Sequence, residues 1–326
     1  MGTQPHPNVR PRPGSSVESL LTEEQIAEIV SRALPGRTLE HFALETGGLS
    51  NLTYRVGVNG RKGRFGLRVY TRDPAACQKE VALHRTLAGQ VPVPEIVHVQ
   101  PDRKGPGSPH VLMQWMEGLT FHELKKSGLP ANELNEAAFA VGATLARIGS
   151  VALPQPIGLV EAPGSTVARV ETWLTSPDLA RRLPVGLRER VRAFVAGRAQ
   201  ALTLLDEARS LVHGDFGARN VLLRRDGGRW VVSAVLDWEC AFAGSALWDV
   251  GHFLRYERRS RPTREPHFSE GFRSAGGVLP NDWRDLTRAV DLVCNVKGLA
   301  SPELPEPFVG EIVDLVIAAV ERRDPP

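Results

Sequence analysis

The sequence predicts an α+β protein of two lobes, a small antiparallel-sheet lobe followed by a mainly helical one. Three observations carry this. Residues 40–116 break into short runs of alternating apolar residues with one helical pattern inserted. After Glu117-Gly118 the apolar residues recur at helical spacing instead. The 326 residues also exceed what one core of the commonest size takes up, so two cores are expected. The expected division is a tail at 1–20, a first lobe at 21–117 and a helical lobe at 118–326.

Composition narrows the function classes. A hydrophobic share of 42% and a charged share of 24% suit a soluble globular chain. Net charge is only 40 − 37 = +3, with no basic stripe interleaved with aromatics, which argues against a nucleic-acid partner. The cysteines Cys77, Cys240 and Cys294 stand far apart without CxxC spacing, as expected in a reducing cytoplasm. The opening MGTQPHPNVRPRPGSS has no apolar signal core, and no apolar run approaches the ~18 residues that a membrane span needs.

In TEEQIAEIVSRAL, Thr22 and Gln25 form a capping box ahead of Ile26, Ile29, Val30 and Ala33 on one helical face. LTYRVGV places Leu52, Tyr54, Val56 and Val58 on one face of a strand, and FGLRVY does the same with Phe65, Leu67 and Val69. Asn59-Gly60 between them is a hairpin signal. In DPAACQKEVALHRTLAG, Asp73 caps a helix, Pro74 fits its first turn and Gly89 ends it. EIVHVQ and HVLMQWM read as two further strands around PDRKGPGSP. Helices are expected over 134–148, 187–205, 245–256, 282–299 and 307–322, with strands around an Asp-Gly turn in 211–236.

The stretch LVHGDFGARNVLL, residues 211–223, holds a polar glycine-containing loop between two apolar runs. Asp215 and Asn220 lie in it, and Asp237 follows in LDWE. A carboxylate, an amide oxygen and a second carboxylate are proton acceptors or hard oxygen ligands. Magnesium takes one or two such protein ligands and the rest from phosphates and water. Phosphoryl transfer needs a base to orient a hydroxyl and ligands to hold the metal. Taken alone, His213 and Asp215 read equally well as local hydrogen-bond partners at a turn.

The string H-G-D-x-x-x-x-N followed by D-W-E resembles the aminoglycoside phosphotransferase and choline kinase-like family, which has a protein-kinase-like fold. The resemblance implies Asp215 as catalytic base, Asn220 and Asp237 as magnesium ligands, His213 as a support of the loop, and Glu239 either assisting the metal or pointing outward. ETGGLSNLTYRV resembles the family's glycine loop over the phosphates, with Gly47, Gly48, Ser50 and Asn51. FGLRVYTRDPAACQKEVALHRTL resembles the strand carrying the phosphate-binding cation and the helix carrying its acidic partner, here Arg68 and Glu80. VPVPEIV and VLMQWMEGLTF resemble the strand and hinge beside the adenine, which implies contacts at Gln114 and Met116. SALWDVGHFL resembles the helix whose Asp, here Asp249, braces the catalytic loop. These matches run in order over residues 42–300. Arg68 departs from the Lys of protein kinases, and the glycine loop lacks the full G-x-G-x-x-G pattern.

Other readings stand beside these. Gly47-Gly48 also fits an ordinary turn, Arg68 a solvent-facing position and Glu80 an exposed helix face. The run RYERRSRPTREP, with Arg255, Arg258, Arg259, Arg261 and Arg264, reads either as a solvated basic loop or as the border of an acceptor pocket that would repel polycations. Glu257, Glu265, Glu270, Asp282, Asp285 and Asp291 are the acidic residues that such a pocket could draw on. Trp173, Trp248, Phe253 and Trp283 are read as core. The resemblance implies transfer of the ATP γ-phosphate, with Mg2+, to a hydroxyl of an antibiotic or small metabolite. The alternative is a nucleotide-binding regulatory protein without phosphotransfer. The absence of an A-P-E segment between Asp237 and Asp249 ranks peptide phosphorylation low.

Overall fold

The computed structural model describes residues 20–45, 51–60, 64–71, 73–102, 109–152, 165–257 and 261–321. The expected tail, and Gly47, Gly48 and Ser50 of the expected glycine loop, lie outside them. The chain divides into two compact units, the first running to Arg85 and including Pro94–Trp115, the second holding Thr86–Val93 and everything from Met116 onward.

The first unit begins with helix α1 (Glu23–Ala33), opened by the capping box of Thr22 and Gln25. Strands β1 (Leu39–Leu44), β2 (Leu52–Val58) and β3 (Arg64–Val69) follow, then helix α2 (Ala75–Leu87), β4 (Ile96–Gln100) and β5 (His110–Gln114). The five strands form one antiparallel sheet in the order β1-β2-β3-β5-β4. Ile26, Ile29 and Val30 of α1 pack with Tyr54, Val56, Phe65, Leu67 and Leu112. Val111, one residue before Leu112, packs instead with Cys77 and Val81 of α2. Successive strand residues face opposite ways, so α1 and α2 cover opposite faces of the sheet. Arg68 lies opposite Val111 in the ladder and therefore on the α2 face. Asp73 Oδ1 accepts the Ala75 N–H at 3.0 Å, and Gly89 takes φ +76° after the helix.

The second unit opens with β6 (Leu119–Thr120), α3 (Phe121–Lys126) and the long helix α4 (Ala131–Ser150). Helices α5 (Thr166–Leu174), α6 (Pro177–Arg182), α7 (Val185–Ala196) and α8 (Ala199–Asp206) follow. Next come β7 (Ser210–Val212), β8 (Val221–Asp226), β9 (Arg229–Val235) and β10 (Phe242–Gly244). The chain then runs through α9 (Leu247–Leu254), α10 (His267–Ser274), α11 (Trp283–Ala300) and α12 (Glu306–Val320). β8 pairs with β6 and β9, and β7 pairs with β10, so the 213–220 loop is gripped by a ladder on each side. The main core gathers Val170, Leu174, Leu187, Val191, Val293 and Val316 around α11.

Some expectations change here. The single helix expected over 187–205 is two, because Gly197 ends α7 and Arg198 leaves helical backbone at φ −123°, ψ 13°. Arg198 instead forks onto Asp285 of α11, with Nε and Nη2 at 2.7 and 2.9 Å from its two oxygens. The solvated-loop reading of the 255–264 arginines fails for Arg255 and Arg264, while Arg261 is exposed as that reading expects. Arg264 is 5% exposed, donates to the Phe253 carbonyl, and lies over the Phe253 ring with Cζ 4.6 Å from the centroid. Arg255 is held by Asp291 with Nε 2.7 Å from Oδ1. Phe253 and Trp283 are core residues, at 1% and 3% exposed.

Candidate active site

The loop after β7 is braced from behind before it presents anything. Asp249 on α9, fully buried, accepts the N–H groups of His213 at 2.7 Å and Gly214 at 2.9 Å. Burial pushes its carboxyl up to about 7, against the pull of those two N–H groups. Gly214 takes φ +81°, and a Cβ there would lie 2.3 Å from the Cys240 carbonyl oxygen, so only glycine fits the turn. His213 Nδ1 accepts from the Asp215 N–H at 3.2 Å, and Nε2 lies 2.9 Å from the Leu236 carbonyl. An accepting Nδ1 requires the Nε2–H tautomer, which then donates to Leu236. The ring packs against Trp238 at 4.5 Å between centroids. His213 thus holds the loop and does not reach outward.

Asp215 is the side chain the loop presents. Its Oδ2 and its carbonyl each accept an N–H of the Asn220 amide, at 2.8 and 2.9 Å. On the other side His252 Nε2, from α9, stands 3.3 Å from Oδ1. Burial, then the Arg255 charge, holds His252 well below the ordinary histidine value. It is therefore neutral at pH 7, and the contact is imidazole to carboxylate, not an ion pair. Burial raises the Asp215 carboxyl to about 6, the charges of Asp237 and Glu239 add to the rise, and Asn220 and Arg255 oppose it. The side chain still keeps 43% of its surface open, so it is reachable by a reactant. Sequence reasoning named Asp215 and Asn220 but missed His252, whose position in LWDVGHFL becomes informative only once α9 is placed.

Asp237 has φ +69°, the left-handed region that a non-glycine residue enters at a cost of about 1–2 kcal/mol. The residues beside it hold it there: Leu236 N–H bonds to the Asn220 carbonyl at 2.9 Å, and the buried Trp238 donates Nε1–H to Val235 at 3.0 Å. Among the described residues no group of three or more His, Cys, Asp or Glu side chains could hold a metal. The donors that Asn220 and Asp237 offer are of another kind, an amide oxygen turned away from Asp215 and a carboxylate. With Asp237 and Glu239 both acting as negative charges on Asp215, this hard, electron-rich set fits magnesium, which completes its shell with phosphate and water.

The first unit holds the other charged cluster. Arg68 Nε lies 3.1 Å from Glu80 Oε2, with side chains only 12% and 3% exposed, so Arg68 does not face solvent and Glu80 is not on an exposed helix face. Tyr70 donates its hydroxyl to the same Glu80 oxygen, and burial with the Glu80 charge pushes that hydroxyl far above its ordinary value. Asn51, one residue before β2, is 7% exposed. Gln114 ends β5 with its N–H on Glu95 at 2.8 Å, and Met116 is the residue at which the second unit resumes.

The curated relatives include human acyl-CoA dehydrogenase family member 11, 25% identical over 212 residues, and the hygromycin-B 4-O-kinase of Escherichia coli, 28% identical over 217 residues. Each alignment covers 64% of this chain, but 26% of the first protein and 60% of the second. The chain thus spans about a quarter of the dehydrogenase relative's length. Among solved structures, a thermostable mutant of aminoglycoside phosphotransferase APH(4)-Ia in ternary complex with ADP and hygromycin B aligns with a TM-score of 0.67. That match has 17% identity and covers 93% of this chain and all 100% of the other, which establishes the protein-kinase-like fold. A profile of the phosphotransferase enzyme family matches residues 43–287, most of the chain, and the protein belongs to that family.

Proposed function

We propose that the chain is a small-molecule kinase that moves the γ-phosphate of ATP, with Mg2+, to a hydroxyl of its acceptor. The observation that carries this is the Asp215 carboxylate, open to solvent, gripped by Asn220 and His252 and raised to about 6, near enough to neutrality for a general base. The acceptor oxygen attacks the γ-phosphorus, the bond from phosphorus to the β–γ bridging oxygen breaks, ADP leaves, and the acceptor proton passes to Asp215. Asn220 fixes the carboxylate's rotamer and His252 its other edge. Asn220 and Asp237 would hold magnesium, which when bound offsets phosphate charge. Arg68, kept in place by Glu80 and Tyr70, is the cation of the nucleotide side. Asn51 with the 47–51 segment, and the backbone at Gln114–Met116, complete the nucleotide contacts in this reading. The first unit then serves nucleotide binding and the second catalysis and acceptor recognition. Most of the rate comes from positioning and electrostatic stabilisation.

The test is ADP release from MgATP over a panel of hydroxylated acceptors, with Asp215→Asn beside the wild type. Acceptor-dependent release in the wild type alone supports the reading. MgATP binding without release from any acceptor would leave a nucleotide-binding regulatory protein. Asp237→Ala should weaken nucleotide binding only when magnesium is present, as read by titration with and without the metal.

A further inference from the structure

A cavity of about 490 Å³ lies within the second unit, walled by α9, α11, α12 and the segment after α9. α9 and α11 come close enough to form its corner because Gly251 has no side chain, and a Cβ there would stand 2.6 Å from the Thr287 carbonyl oxygen. Four guanidinium groups line it: Arg255, Arg261, Arg284 and Arg288. Three carboxylates do too, so the net charge of the wall says little by itself. The hydrogen bonds say more.

Two of the three carboxylates are committed to the protein on both oxygens. Asp291 accepts Arg255 Nε at 2.7 Å on one oxygen and Asn295 Nδ2 at 3.2 Å on the other. Glu265 accepts the Ser269 N–H at 3.0 Å, and its second oxygen accepts the Ser269 hydroxyl at 2.9 Å and Arg284 Nη2 at 3.0 Å. Glu257 accepts the N–H groups of Arg264 and Glu265 on one oxygen, and its other oxygen is buried, without a hydrogen-bond partner and closed to solvent. The guanidiniums of Arg255, Arg284 and Arg288 are far less committed. Each carries five N–H donors. Arg284 gives Nη2 to Glu265, Arg288 gives Nη2 to Asp285, and Arg255 gives Nε to Asp291. What the wall has left to offer a ligand is donor capacity with positive charge. Leu254, Leu315 and Ala319 supply an apolar patch, and the volume exceeds that of a small inorganic ion.

We propose that this cavity binds the anionic group, a carboxylate or a phosphate, of a small organic molecule. Resting on the kinase reading above, that molecule is the hydroxylated acceptor. The link is α9: His252 meets Asp215, while Leu254 and Arg255, within the next turn, face the cavity. Guanidinium pairs with carboxylate and phosphate in forked geometry, and the same wall repels a polycation. A second cavity of about 310 Å³ beside α5 and α7 offers no such chemistry, because its Glu171 and Arg192 are bonded to each other at 2.7 Å.

The experiment is calorimetric titration of the full chain with matched pairs, gluconate against glucose and glycerol 3-phosphate against glycerol, plus citrate, inorganic phosphate and the polycation hygromycin B. Arg284→Gln is run beside the wild type. Its side chain is 69% exposed, so the variant folds, and Arg284→Lys serves as the charge-keeping control. The expected result is at least tenfold tighter binding of an anion than of its neutral partner, lost in Arg284→Gln and partly kept in Arg284→Lys. The gluconate and glycerol 3-phosphate arms separate carboxylate from phosphate. Equal affinities within both pairs, no anion binding, or an anion affinity unchanged in Arg284→Gln overturns the proposal. ADP release is measured in the same samples with MgATP. Anion binding lost in Arg284→Gln without release upholds the site and sinks the kinase reading. Release driven only by neutral or cationic acceptors does the reverse.

Discussion

The two charged clusters handle a carboxylate in opposite ways. Glu80 in the first unit is 2% exposed, and its charge is met directly by Arg68 and by the Tyr70 hydroxyl. Asp215 in the second unit keeps 43% of its side-chain surface and meets a neutral amide and a neutral imidazole, with Asp237 and Glu239 as acidic neighbours. The first arrangement neutralises a charge and holds a shape. The second leaves a carboxylate short of compensation, and its proton affinity rises. A base that must take up a proton needs the second environment, and a strut needs the first.

The largest way to break this contrast is Asp215→Asn, which keeps the shape and removes the base. Turnover should fall by about 10²–10⁴ with MgATP affinity retained, read by steady-state kinetics and nucleotide titration. Wild-type turnover in that variant would end the assignment. Next is Glu80→Ala, which strands the Arg68 charge in a largely buried site. A loss of about 3–5 kcal/mol is expected in urea unfolding, because an uncompensated buried charge costs more than an ion pair contributes. A change within ~0.5 kcal/mol would show that the pair is not a strut.

The pH dependence sharpens the comparison. Asp215 acts in its deprotonated form, and its pKa is raised to about 6. The active form is present above that pH and lost below it, so kcat should drop about tenfold for each unit under pH 6. A profile flat from pH 8 to pH 5 would contradict the assignment. The smallest expected effect is that of His252→Ala. Losing a contact to a charged group should lower kcat about tenfold at unchanged KM for ATP, with partial recovery in added imidazole. A purely structural histidine would show no imidazole recovery.

Much of the first unit was legible because its signals are local. The Thr22–Gln25 capping box, the Asp73 cap and the alternation in β2 and β3 each act within a few residues. Helices α5 and α6 were missed although Ser165 and Ser176 cap them, since a short helix carries too few turns for a periodic signal. Gly197 signalled a break in the 187–205 pattern that the apolar spacing on either side of it concealed.

By itself, the sequence determined the fold class and the short loop that carries Asp215 and Asn220, the latter read there as a metal ligand. Asp215 and Asn220 are close in the chain, and Gly214 imposes the turn through its own backbone. Only the tertiary structure decided what stands 3.3 Å from the other edge of Asp215, and whether the arginines after α9 face water. The partners of Arg255 and of Asp215's second oxygen lie 36 and 37 residues away, on helices whose rotation about their own axes is set by core packing. A pattern of spacings records which face of a helix is apolar, but not which distant group that packing brings against it.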